Sequence, residues 1–141
     1  MYIDMEKKFL TERDANQYSP LSLAFLGDSV YDTLVRSYLL NIANMPVSKL
    51  HSAKIKLVCA EFQSDAYERL TEYLTEKEFA VLKRGRNATG NTVPKHADAV
   101  NYRRATAVEC LFGYLYLIGR TDRISELFEI IINSTSIDFG E

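Results

Sequence analysis

Two acidic residues sit where acids are least expected. Asp28 lies in the run Leu21-Ser22-Leu23-Ala24-Phe25-Leu26-Gly27-Asp28-Ser29-Val30-Tyr31, and Glu109 in Ala105-Thr106-Ala107-Val108-Glu109-Cys110-Leu111-Phe112-Gly113-Tyr114-Leu115, both otherwise apolar and helical in character. In a helix, the neighbours that could neutralise a side chain stand three or four positions away. For Asp28 these are Ala24, Phe25, Tyr31 and Asp32; for Glu109 they are Ala105, Thr106, Phe112 and Gly113, and none is basic. An ionised carboxylate in apolar surroundings shifts its pKa, reaches a distant cation, or binds a metal. Two such groups in one chain suggest a shared metal. Cys59 and Cys110 lie in apolar helical patterns with no second Cys or His at ligand spacing, so both are expected to be buried free thiols.

The 141 residues suit one domain with one core. No stretch approaches the roughly 18 apolar residues of a membrane span. The start, Met1-Tyr2-Ile3-Asp4-Met5-Glu6-Lys7-Lys8, lacks the apolar run and cleavage site of a secretory signal, so a cytoplasmic protein with no membrane association is expected. A net charge of −2 argues against a chain that coats nucleic acid on every face, yet the charge is uneven. Between Lys83 and Arg104 stand Lys83, Arg84, Arg86, Lys95, Arg103 and Arg104, against the single acid Asp98.

The elements that must position these residues read as all-α. Ser19 caps and Pro20 opens a helix running to about Asn41, with apolar residues on more than one stripe, so it should be central. Met45-Pro46 ends that unit, and the pattern from Ser48 to Leu74 reads as two consecutive helices. Thr75-Glu76-Lys77-Glu78 has capping-box spacing and opens a shorter helix that stops at Gly85. Gly85 to His96 is a turn-rich loop, followed by a strongly apolar helix from about Ala97 to Ile118 closed by Gly119. Thr121 caps a last amphipathic helix. Residues 1–18 read as an N-terminal extension and 134–141 as a flexible tail. Gly27 in a helix interior costs about 1 kcal/mol relative to Ala, and is expected to permit close approach of a helix or phosphate. Asp32 either pairs with Arg36 at i+4 or joins the acidic site, and Asp98 is either a helix-start acid or a ligand.

Leu23-Ala24-Phe25-Leu26-Gly27-Asp28-Ser29-Val30 resembles the signature helix of the ribonuclease III catalytic domain, and Val108-Glu109-Cys110-Leu111-Phe112-Gly113-Tyr114-Leu115-Tyr116-Leu117 resembles its second acidic helix. Within that superfamily the chain is most similar to Mini-ribonuclease III, the short bacterial form without the appended duplex-binding domain. The likeness covers nearly the whole chain and includes Leu82-Lys83-Arg84-Gly85-Arg86-Asn87-Ala88, Pro94-Lys95 and Tyr102-Arg103. Two acidic positions of the full-length enzymes are absent, replaced by Ala24 and Thr106, a reduced pattern that the short form shares.

The resemblance implies the ribonuclease III endonuclease-domain helical fold in a homodimer. It also implies a metal-dependent endoribonuclease that cuts double-stranded RNA, leaves 5′-phosphates and matures the ends of the 23S ribosomal RNA precursor. Asp28 and Glu109 would be the catalytic residues and ligands of Mg²⁺, with Mn²⁺ as an alternative. Lys83, Arg84, Arg86, Lys95 and Arg103 would meet RNA phosphates. His96, beside Lys95, is a weaker candidate for that role, and His51 reads as a helix-surface residue. The dimer would present two sites to opposite strands, with the first helix, carrying Phe25, Tyr31 and Tyr38, as an interface element. A large-subunit ribosomal protein is a candidate helper. Two other readings stay open: an inactive fold of this kind used as an RNA-binding or ribosome-associated module, and a helical protein-interaction adaptor.

Overall fold

The computed structural model describes residues 8–90, 92–133 and 135, and every regular element among them is an α-helix. In chain order these are α1 (Glu12–Ala15), α2 (Pro20–Ile42), α3 (Val47–Val58), α4 (Ala60–Leu70), α5 (Glu76–Arg86), α6 (Ala99–Leu117) and α7 (Thr121–Asn133). Apart from Thr135, the expected tail lies outside the described residues. Inside the expected N-terminal extension, α1 buries Ala15, and the Leu10 amide donates to the Leu117 carbonyl at 2.8 Å.

Local chemistry sets most helix starts. Ser19 accepts from the Ser22 amide and Pro20 stands at the first helical position, where its missing N–H is no loss. Thr75 and Glu78 form the reciprocal capping box. Asp98 accepts from the Asn101 amide at 3.0 Å, so it is a helix-start acid. Two boundaries differ from expectation. The short helix continues through Gly85 to Arg86, because Gly85 is packed against α6 rather than turning the chain. Thr121 is the first residue of α7 rather than its cap, the Arg120 carbonyl accepting from the Ile124 amide.

The centre of the molecule is α6. From Ala105 to Leu115 every residue except Glu109 is buried, because α2, α4, α5 and α7 all pack around this helix. The apolar residues of α2 do spread over more than one stripe, but its outer face stays open: Phe25 is 84 % exposed, whereas Tyr31 lies in the core and Tyr38 packs against it. Tyr31 sits against Phe112 and Phe128 with ring centroids 5.8 and 6.0 Å apart, distances typical of favourable aromatic pairs. Of the three aromatic residues expected at an interface, Phe25 is therefore the exposed one.

At Cys59 the backbone is extended (φ −68°, ψ 156°) and splits α3 from α4, which puts this cysteine on an exposed corner instead of in the core. Cys110 is buried as expected. The break leaves helix-terminal carbonyls needing donors. The Tyr31 hydroxyl donates to Leu57 O at 2.7 Å, and Gln63 Nε2 donates to Val58 O at 2.9 Å. Elsewhere a buried ion pair joins α5 to α7: burial alone would push Glu78 up, but Arg123 and the Thr75 cap outweigh it and hold the carboxyl below its ordinary range.

Two glycines let α2 and α6 touch backbone to backbone. A Cβ on Gly27 would fall 1.6 Å from the Glu109 carbonyl oxygen, and one on Gly113 would fall 1.9 Å from that of Leu23. Neither obstacle is a side chain that can swing aside, so the helices would have to part. Gly27→Ala and Gly113→Ala should each lower the unfolding free energy in urea by about 3 kcal/mol, the upper end of the usual overpacking cost. A loss below about 0.5 kcal/mol, the ordinary range for surface substitutions, would mean the helices do not meet as described.

Candidate active site

The Gly27–Gly113 crossing fixes where the two signature acids go. Asp28 follows the contact glycine of α2, and the Glu109 carbonyl is the atom that Gly27 touches on α6. Their carboxyl groups come within hydrogen-bonding reach of each other. Asp28 is exposed and Glu109 half-buried, so the pair opens to solvent on one side and is walled by packed helix on the other. No ion pair among the described residues reaches either acid.

Glu109 is pushed up to about 8 from the ordinary 4.5. Burial contributes most, then the adjoining Asp28 carboxyl, while the Gln63 amide works the other way. Two carboxyls this close without a basic partner repel when both are ionised, and a cation between them would relieve that repulsion. Among the described residues no group of three or more His, Cys, Asp or Glu could hold a metal, so the site offers a pair. A pair of hard oxygen donors suits Mg²⁺, which keeps several waters and is commonly held by one or two carboxylates plus substrate phosphates. The residues fit such an ion.

The other acidic positions are accounted for. Asp32 is paired with Arg36 at 2.6 Å and Lys54 at 3.1 Å, so it is not available to the site. Ala24 is buried, and Thr106 is buried with its hydroxyl donating to Tyr102 O at 3.0 Å. Gln63 was not anticipated as a site residue. It is 3 % exposed, lies beside Glu109, and shares the spacing of Ala66, Tyr67 and Leu70 on the inward face of α4. An uncharged polar residue at the first position of that buried stripe was the available signal.

The basic residues divide into two groups. Arg84 donates to Asn16 Oδ1 and to Tyr18 O, tying the segment before α2 to α5. Arg86 donates to the Tyr67 hydroxyl at 2.9 Å, and Arg104, on the same tyrosine's ring, pairs with Glu68. Lys83, Lys95 and Arg103 are exposed. Two open recesses flank residues 87–89, one rimmed by Lys83 and Arg84 and the other by Arg86, Arg103 and Arg104. Lys95 lines neither, and His51 and His96 are exposed surface residues away from the carboxyl pair's contacts.

The all-helical fold that carries the carboxylate pair at its glycine crossing is that of a ribonuclease domain: residues 21–120 match the Ribonuclease III domain family. The chain is 40% identical over 134 residues to Mini-ribonuclease 3 of Clostridium tetani, covering 92% of this chain and 89% of that one. It is 44% identical over 125 residues to Mini-ribonuclease 3 of Brevibacillus brevis, covering 89% and 92%. A crystal structure of a protein from Fusobacterium nucleatum superposes with a TM-score of 0.77 at 31% identity, covering 85% of this chain and 98% of that one. The chain belongs to the ribonuclease III family and, within it, to the short Mini-ribonuclease 3 group.

The raised pKa of Glu109 has a thermodynamic consequence. Between 4.5 and about 8 the folded protein holds a proton that the unfolded chain has lost, so stability is full below about 4.5 and falls as pH rises through 8. In EDTA, the melting temperature should therefore drop from pH 5 to pH 8, and Glu109→Gln should remove most of that drop. An equal drop in both proteins would locate the titration elsewhere.

Proposed function

We propose that this protein is a divalent-metal-dependent endoribonuclease that cuts double-stranded RNA, acting in the cytoplasm on precursor 23S ribosomal RNA to trim its 5′ and 3′ ends. The single observation that carries the reading is the solvent-facing Asp28–Glu109 pair, which no ion pair among the described residues reaches. Asp28 and Glu109 hold the ion from two helices. A bound Mg²⁺ or Mn²⁺ would supply Lewis-acid polarisation of the scissile phosphate and ease ionisation of the attacking water. Hydrolysis then leaves a 5′-phosphate and a 3′-hydroxyl.

Around that centre the chain's own residues bind and orient the duplex. A-form RNA is recognised mainly through phosphates and 2′-hydroxyls across its wide minor groove, which calls for a basic surface rather than base-reading side chains. Lys83, Lys95 and Arg103 offer exposed charge for it, and Arg84 and Arg86 offer guanidiniums already oriented by protein contacts. One site cuts one strand, so two copies related by a two-fold axis would address both. Phe25, three residues before Asp28 and 84 % exposed, supports such pairing through α2. A large-subunit ribosomal protein is a candidate helper in choosing the transcript.

Incubation with duplex RNA in Mg²⁺ or EDTA, with wild type and Asp28→Asn, tests the reading. Wild type should cut in Mg²⁺ only, and Asp28→Asn should be slower by about 10²- to 10³-fold while still binding the duplex, as expected when transition-state stabilisation is removed. Binding without cutting by wild type would favour an inactive RNA-binding module, and neither binding nor cutting would favour a protein-interaction adaptor.

A further inference from the structure

The carboxylate pair has a neutral neighbour whose chemistry is half used. Gln63 stands on the first turn of α4, just past the extended Cys59, and is almost completely buried. Its Nε2 donates to Val58 O, a carbonyl stranded by the end of α3, and its amide also lies against the Glu109 carboxyl. Its Oε1 is the one buried side-chain nitrogen or oxygen among the described residues with no hydrogen-bond partner. Native interiors rarely leave such an atom unmatched, and the usual resolution is a water or an ion at the site.

The donor side accounts for where the amide is anchored. Val58 O holds the side chain at the helix break, so the amide cannot swing away from Glu109 without breaking that bond. The acceptor side is left over. Beside the Glu109 carboxyl, the chemistry that would satisfy this carbonyl oxygen is the hydration shell of a cation held by Asp28 and Glu109. Outer-shell partners of this kind orient ligands and raise metal affinity, commonly by 10- to 100-fold.

We propose that Gln63 is a positioning residue of the metal site: its anchored amide holds Glu109 in place while its free Oε1 accepts a hydrogen bond from the hydrated cation. The proposal rests on the assignment of Asp28 and Glu109 as the cation's ligands. It names a third contributor to a site whose two family-like acidic positions, 24 and 106, carry no charge. Gln63 itself brings none, so it adds a contact without adding to the repulsion between the acids.

Binding of Mn²⁺ to the intact protein, read as loss of the free-ion electron paramagnetic resonance signal, separates the parts of this proposal. Gln63→Met keeps the length and bulk but removes donor and acceptor, whereas Gln63→Glu keeps the oxygen and removes the donor. The expected result is about a 10-fold weaker affinity for Gln63→Met and an affinity for Gln63→Glu at or above wild type, both with wild-type circular dichroism. Should Gln63→Met fail to fold, Gln63→Asn, which withdraws the amide by one methylene, replaces it with the same expected loss. Wild-type affinity in Gln63→Met, or an equal loss in Gln63→Met and Gln63→Glu, overturns the role of Oε1. If instead wild type fails to bind Mn²⁺, or Asp28→Asn binds it as well as wild type does, the assignment of the two acids itself is wrong.

Discussion

Everything at the site depends on two helices being allowed to touch. An ordinary helix pair is held 8–10 Å apart by its side chains. At Gly27 and Gly113 there are none, and the backbones of α2 and α6 close until a Cβ would overlap a carbonyl oxygen. That contact brings together residues separated by most of the chain. It also explains an apparent defect of the sequence, since a glycine in the middle of a helix sacrifices helix propensity. Here the loss is offset by a contact no other residue could make.

From this crossing the chemistry follows by proximity. Two carboxyls that would each be comfortable on a surface are pushed together, one of them half-buried, and Glu109 responds by holding its proton to about 8. The strain belongs to the metal-free protein. A divalent ion held as proposed would convert the same geometry from repulsion to coordination, and would thereby couple metal binding to proton release. The surrounding helices contribute rigidity: α6 is enclosed on nearly every side from Ala105 to Leu115, so Glu109 is carried on the least deformable element of the fold. Sites built on such elements keep their geometry better than sites on loops.

Much of this was legible in the residues, and the reasons differ by feature. The starts of α2 and α5 were readable because capping is local: Ser19-Pro20 and Thr75 to Glu78 satisfy their own backbone donors within three positions. Asp28 and Glu109 stood out through the absence of any basic residue at helical spacing. What stayed hidden was set by tertiary contact. Cys59 looked like core because its neighbours are apolar, yet it occupies the corner between two helices. Gly85 looked like a stop, yet it is a second close-packing position, against Ala107 and Cys110 of α6. Arg84 and Arg86 read as uniform charge, and only their partners Asn16, Tyr18 and Tyr67 reveal a structural task alongside any contact with phosphate. Gln63 gave no signal beyond a polar residue in a buried stripe.

The most direct examination of the central claim is crystallographic. Crystals equilibrated with Mn²⁺ and measured at a wavelength with strong manganese anomalous scattering should show a peak coordinated by carboxylate oxygens of both Asp28 and Glu109. A structure in which the ion binds elsewhere, with these two side chains turned apart or joined by a shared proton in the presence of saturating Mn²⁺, would contradict the account.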